Sequence, residues 1–170
     1  MNTRINNRTF RLIGLVLLPL LVLPAGCDST EPGDPGVTVG AATAEFSDMN
    51  YWPAHSENIT CAGRLSYRFR SERNGSDDYR VAVRAENLSA RFDGTASGES
   101  GEYYLHVWDG EGELLSEFNG AVGSKQSFAE SFRLVGEHTG EEAEGLVVTE
   151  ATIGKGGRLT FEVKEIIALP

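Results

Sequence analysis

After residue 36, apolar and polar residues alternate with period two over much of the chain, and no helical period of any length appears. Period-two alternation places successive side chains on opposite faces of a strand. Ile59, Cys61, Leu65, Tyr67 and Phe69 share one phase, and Thr60, Arg64, Ser66, Arg68 and Arg70 share the other. Tyr79, Val81, Val83 and Ala85 then share a phase opposite to Arg80, Arg84 and Glu86. The pattern predicts a hairpin with one buried face and one arginine-rich solvent face. Matching the apolar faces sets Phe69 against Tyr79 and Leu65 against Val83. That register predicts a loop of Arg73, Asn74 and Gly75, with Gly75 at the left-handed position. It also places Arg68 opposite Arg80 and Arg70 opposite Asp78.

Further strands are predicted over Val37 to Phe46, Tyr103 to Asp109, Glu113 to Phe118, Gln126 to Val135, Gly145 to Ile153 and Leu159 to Ile166. Tyr51 to Ser56, which contains Pro53, reads as irregular. Gly110-Glu111-Gly112 and Gly154-Lys155-Gly156-Gly157 read as turns. The sum is an all-β domain of about eight antiparallel strands over residues 37–170, with the regular spacing of a β-sandwich. It is long enough for one core and short for two domains.

The first 26 residues have a different character. Arg4, Arg8 and Arg11 precede an apolar run from Leu12 to Leu23, and no acid occurs among them. The run is shorter than the roughly 20 residues needed to span a bilayer and fits a cleaved secretory signal. It ends in Leu23-Pro24-Ala25-Gly26-Cys27. This end resembles a bacterial lipobox, with small residues before a Cys that is acylated and becomes the new N-terminus. Pro24 stands where that pattern usually has Leu. The resemblance implies a signal peptide over 1–26, a lipidated Cys27, and a palmitate-bearing lipoprotein in a bacterial cell envelope, facing the periplasm or the exterior. Asp28 resembles the inner-membrane retention signal of enteric bacteria, a rule that does not hold in all bacteria. Residues 27–36 are rich in Pro, Gly and acids and read as the lipidated Cys and a flexible tether.

Charge narrows the partners. The full chain carries −10, and removal of three Arg with the signal would leave −13. Such acidity speaks against nucleic acid, whose phosphates are met by Lys and Arg. The charge is uneven: Cys61 to Arg91 holds seven Arg against four acids, whereas Phe92 to Pro170 holds fifteen acids against five bases. Cys27 and Cys61 are the two cysteines, so a lipidated Cys27 leaves Cys61 without a disulfide partner. Its place on the apolar phase predicts a buried structural thiol.

A second resemblance rests on three segments. They are Val81-Ala82-Val83-Arg84-Ala85-Glu86-Asn87, Tyr104 to Leu115, and Phe128 to Leu134. Together they look like the small immunoglobulin-like domains of bacterial lipoproteins. The resemblance covers about half of the mature chain. It implies an immunoglobulin-like antiparallel β-sandwich that serves adhesion, assembly or carbohydrate contact, with no catalytic residues.

Candidate binding residues fall into two groups. Arg64, Arg68, Arg80 and Arg84, with Arg70 nearby, share one face, where like charges require either acids of the same domain or an anionic partner. That partner would be a lipid headgroup, an anionic glycan or an acidic envelope protein. Tyr104, His106 and Trp108 share one phase of a strand whose other phase, Tyr103, Leu105 and Val107, is also apolar. This predicts either a strand covered on both sides or an exposed aromatic stripe for sugar rings or a protein.

The acidic turns around Asp109 and Asp77 lack EF-hand spacing and read as solvated. Gly154 to Gly157 resembles the GXXG loop of KH domains, but a strand pattern follows it, so it reads as a hairpin turn. No HExxH or G-x-S-x-G pattern occurs, and no cofactor or metal site is expected. The function expected is a lipid-anchored binding or structural module without catalysis. A carbohydrate- or lipid-contacting module is one alternative. A small envelope hydrolase with a site assembled from distant residues is another, and a cluster of His106, His138 and acids would favour it.

Overall fold

A computed structural model describes residues 36–86, 92–108 and 112–170. The signal segment, Cys27, residues 28–35 and residues 109–111 lie outside the described residues. Among the described residues there are nine strands: β1 (Val37–Trp52), β2 (Glu57–Arg73), β3 (Asp78–Ala85), β4 (Phe92–Gly98), β5 (Tyr103–Trp108), β6 (Leu114–Ala121), β7 (Lys125–Gly136), β8 (Glu142–Ile153) and β9 (Leu159–Ala168). The turn before β9 includes a short 3-10 stretch, Lys155–Gly157.

All nine strands join in one antiparallel sheet, in the order β6-β3-β2-β4-β5-β7-β8-β9, with β1 on the free edge of β2. β2 organises the sheet. One of its edges pairs with β1 along the whole length, from Val37 opposite Glu72 to Trp52 opposite Glu57. The other edge is shared: Ile59 to Leu65 pair with β4 and Tyr67 to Arg73 pair with β3. The sheet curls until β9 lies against β1, where Asn50 Nδ2 donates to the Ile166 carbonyl at 3.0 Å and Thr38 Oγ1 to the Gly156 carbonyl at 2.8 Å.

Curling brings β2 face to face with β7, β8 and β9 over one core. The Tyr67 ring lies 5.6 Å from Phe128 and 4.7 Å from Phe161, and its hydroxyl meets Thr149 Oγ1 at 2.8 Å. Trp52, at the end of β1, packs edge-on against Phe132 of β7. Trp52, Ile59, Leu65 and Tyr67 are fully buried. Burial of side chains of this size contributes roughly 1.5–3 kcal/mol each.

The predicted alternation of β2 and β3 holds, but their register does not. Phe69 faces Val83 rather than Tyr79, and Leu65 faces Phe92 of β4. The loop accordingly runs over residues 74–77, closed by Asn74 N donating to the Asp78 carbonyl at 2.7 Å. A slip by an even number of residues preserves both faces, so the phase alone did not fix the register. Arg68 therefore stands opposite Arg84, and Arg80 opposite Glu72. β1 also runs six residues beyond Phe46, to Trp52, before the turn at Pro53.

β4 has no counterpart among the predicted strands. Gly63 of β2 faces Gly94 of β4, and a Cβ at Gly94 would lie 2.3 Å from the Ala62 carbonyl oxygen. Backbone contact, with the Phe92 ring over it, replaces the apolar alternation a sequence pattern would show.

Candidate functional site

The arginine face lies on the outside of β2 and β3, as predicted. Arg64 pairs with Asp93 at 3.1 Å, Arg68 with Glu86 at 2.6 Å, Arg70 with Glu72 at 2.7 Å, and Arg80 with Glu117. Arg84 donates to the Gly112 carbonyl at 3.1 Å. The Arg68, Arg70 and Arg80 side chains keep about 60% of their surface exposed.

The aromatic stripe requires correction. Tyr104 and Trp108 are buried, and His106 points the same way, with both ring nitrogens shut off from solvent. His106 sits 4.1 Å from Phe92, and Trp108 lies 4.9 Å from Phe132. Burial pushes the His106 pKa down to about 4, partly offset by the Thr95 backbone. The exposed phase is the opposite one, Tyr103 and Leu105. Both phases of β5 are apolar, so alternation could not choose between them.

His106 and His138 are not brought together. His106 belongs to the core side of β5, whereas His138 lies in the β7–β8 turn with its Nδ1 3.1 Å from Glu102. Among the described residues, no group of three or more His, Cys, Asp or Glu is arranged to hold a metal ion. Cys61 is buried and free, and burial, together with the Asp48 charge, pushes its thiol pKa up to about 12. Such a thiol is not a nucleophile.

The structure instead assembles a cleft that sequence spacing did not show. Three turns meet at one end of the sheet: β1–β2, β4–β5 and β7–β8. Between them opens a cavity of about 580 Å³ walled by His55, Glu57, Ser100, Glu102, Tyr104 and Glu141. The Tyr104 hydroxyl donates to Glu57 Oε1, Ser100 N to Glu57 Oε2 at 2.8 Å, and Ser100 Oγ to Glu57 Oε1 at 3.1 Å. The Tyr104 bond foremost, then the Ser100 amide, holds the Glu57 carboxyl below the usual range. Burial and the same carboxylate raise the Tyr104 phenol.

Glu102 accepts from the amides of His138 at 2.7 Å and Thr139 at 3.2 Å, which lower its pKa as well. The His55 side chain is 2% exposed, lies 4.7 Å from the Tyr104 ring, and has its Nδ1 3.6 Å from Glu141. Ser56 beside it holds a φ of +52°, a left-handed conformation that costs a non-glycine residue roughly 1 kcal/mol or more.

The cleft therefore sets three carboxylates in a wall without Lys or Arg, with the imidazoles of His55 and His138 beside Glu141 and Glu102. Such a wall attracts cationic groups. The signal available in the sequence was the irregular run around Pro53 and His55, which marks one of the three turns and not their meeting. No protein-family model, no curated protein and no solved structure matches the chain.

Proposed function

We propose that the chain is a lipid-anchored protein of a bacterial cell envelope whose β-domain binds a partner without turning it over. The observation that carries the reading is the run Leu23-Pro24-Ala25-Gly26-Cys27 after a basic, then apolar, leader, nine residues ahead of Val37. Acyl chains on Cys27 would hold the protein in a membrane, each buried CH₂ contributing roughly 0.8 kcal/mol. The 1–26 segment would be removed as the signal, and 27–36 would join anchor to domain.

The end cleft is the recognition site in this reading. It lies at the Trp52 end of β1, and the tether joins at the Val37 end. Some fifteen residues of strand, about 50 Å of contour, separate the two. A site so placed faces away from the anchor and suits an envelope protein that presents Lys or Arg.

Binding is favoured over turnover by the state of Glu57. The Ser100 hydroxyl bonds to this carboxylate, but a carboxylate with a lowered pKa is a weak general base. An immunoglobulin-like sandwich is the finer form of the proposed fold. Face-to-face packing of β2 on β8 and β9 supports its two layers, whereas the pairing of β2 with β3 in one sheet departs from the usual immunoglobulin strand order.

A carbohydrate-contacting role is the second reading. It is favoured by an outer row of Met49, Thr60, Ser97 and Tyr103, opposed in turn on β1, β2, β4 and β5, with exposed Tyr103 and Met49 at its ends. The test is a pull-down of the lipidated chain from crosslinked, detergent-solubilised envelopes, beside Glu57→Gln/Glu141→Gln. A stoichiometric protein whose recovery falls about tenfold in the variant supports the cleft reading. Equal recovery with both chains, or none with either, counts against it, and a glycan array then tests the outer row.

A further inference from the structure

We infer that the arginine face formed by β1, β2, β3 and β6 is a headgroup-binding surface that rests on the anionic lipid of the membrane holding Cys27. The inference rests on the anchored reading and adds the surface by which the domain meets its own membrane.

The first argument is position. Val39 of β1 stands opposite Arg70, and Ala41 opposite Arg68. The strand pairs continue outward: Arg70 faces Ala82, which faces Glu117, and Arg68 faces Arg84, which faces Leu114 of β6. The face thus begins two residues from Val37, where the segment from Cys27 joins. Nine intervening residues can span at most roughly 35 Å. An acylated Cys27 would hold the Val37 end of this face within that reach of the headgroups.

Charge is the second argument. The mature chain would carry −13, yet this patch gathers Arg68, Arg70, Arg80 and Arg84. Glu72, Glu86 and Glu117 stand against these four arginines, so the patch is basic by one charge, and the paired Arg68, Arg70 and Arg80 side chains still keep about 60% of their surface exposed. Glu86 is only 10% exposed, whereas Arg68 beside it is 60% exposed. Among the described residues, Arg84 meets the Gly112 carbonyl and no acid. A uniformly acidic domain would be repelled from an anionic leaflet, and a basic face at the tether end reverses that locally.

Shape is the third. A groove of about 240 Å³ runs between Arg70, Arg80, Arg84 and Leu114, with Glu72 and Glu117 on its wall beside Arg70 and Arg80. Exposed Val39 and Leu114 flank the arginines with apolar surface. Guanidinium donors in a shallow groove with an apolar margin fit a phosphate headgroup above its acyl chains. With this face down, β1 runs along the membrane surface and the cleft at its far end opens to the side, away from the point of attachment.

The test uses the lipidated chain in vesicles of phosphatidylcholine alone or with 30% phosphatidylglycerol, a probe composition of about one-third anionic lipid. Phenylglyoxal modification is followed by mass spectrometry at each arginine. Arg68, Arg70, Arg80 and Arg84 should react about fivefold more slowly in the anionic vesicles, with Arg133 of β7 unchanged. Salt at about 0.5 M should remove the difference, because it shortens the screening length to a few ångströms. Arg68→Glu/Arg84→Glu should abolish protection of Arg70 and Arg80. Arg70→Gln/Arg80→Gln, a milder change, should do the same for Arg68 and Arg84 if the first variant fails to fold.

Equal modification in both vesicles, with the chain floating on them, overturns the inference while the anchor stands, and would leave a glycan or protein as occupant of the face. A chain that neither floats nor carries acyl groups overturns the inference together with the anchored reading.

Discussion

Arg68 and Arg84 stand directly opposite each other on β2 and β3, and the nearly buried Glu86 carboxylate lies 2.6 Å from the Arg68 guanidinium. Like charges across a strand pair are unfavourable, and Glu86 supplies the countercharge. Glu86→Gln is expected to lower stability by about 1 kcal/mol, a figure discounted for the exposure of Arg68. Urea unfolding at low and high salt checks this, with the smaller loss expected at high salt. An unchanged midpoint would mean that the facing arginines are tolerated without it.

Tyr67 and Thr149 join the two sides of the core by a buried hydrogen bond of 2.8 Å. Tyr67→Phe should destabilise by about 1–2 kcal/mol, because the Thr149 hydroxyl is left unsatisfied in the core. Tyr67→Phe/Thr149→Val should lose less than the two single changes summed. Additive losses in a double-mutant cycle would contradict the contact between β2 and β8.

Acid should weaken the domain partly through His106. Its ring is held neutral in the fold, with the pKa pushed down to about 4 by burial. In the unfolded chain the ring takes a proton near its ordinary value of about 6.5. Between these limits the unfolded state binds the extra proton. The contribution is therefore full above about pH 6.5 and is lost as pH falls towards the folded value. His106→Phe should remove this part of the pH dependence, up to a few kcal/mol, as read from urea midpoints across the range. Parallel curves for both proteins would show that the ring is not held neutral.

Cys61 should resist alkylation. Its thiol is buried, with a pKa of about 12. Iodoacetamide at pH 8 should label the native protein at least about 100-fold more slowly than the urea-unfolded protein. Comparable rates would place the thiol on an accessible surface.

The legible part of this fold was its phase. Ile59, Leu65, Tyr67 and Phe69 turned inward and Arg64, Arg68 and Arg70 outward, as alternation requires. What escaped had physical reasons. The β2–β3 register slipped by an even step that leaves every face intact. β4 is held by the close approach of Gly63 and Gly94, which carries no apolar signal. β5 is apolar on both phases, so the inward turn of Tyr104 and Trp108 needed the structure. The cleft joins His55, Glu57, Ser100, Glu102 and Glu141 through the meeting of three turns, a property of strand order rather than of local sequence.

The anchor is the claim on which the functional account turns, and its most direct test is the N-terminal peptide of the protein recovered from bacterial membranes. Mass spectrometry should find a chain that begins at Cys27 and carries acyl mass on that residue. A soluble chain with a free, unmodified Cys27, or one cut at another position, would contradict the account.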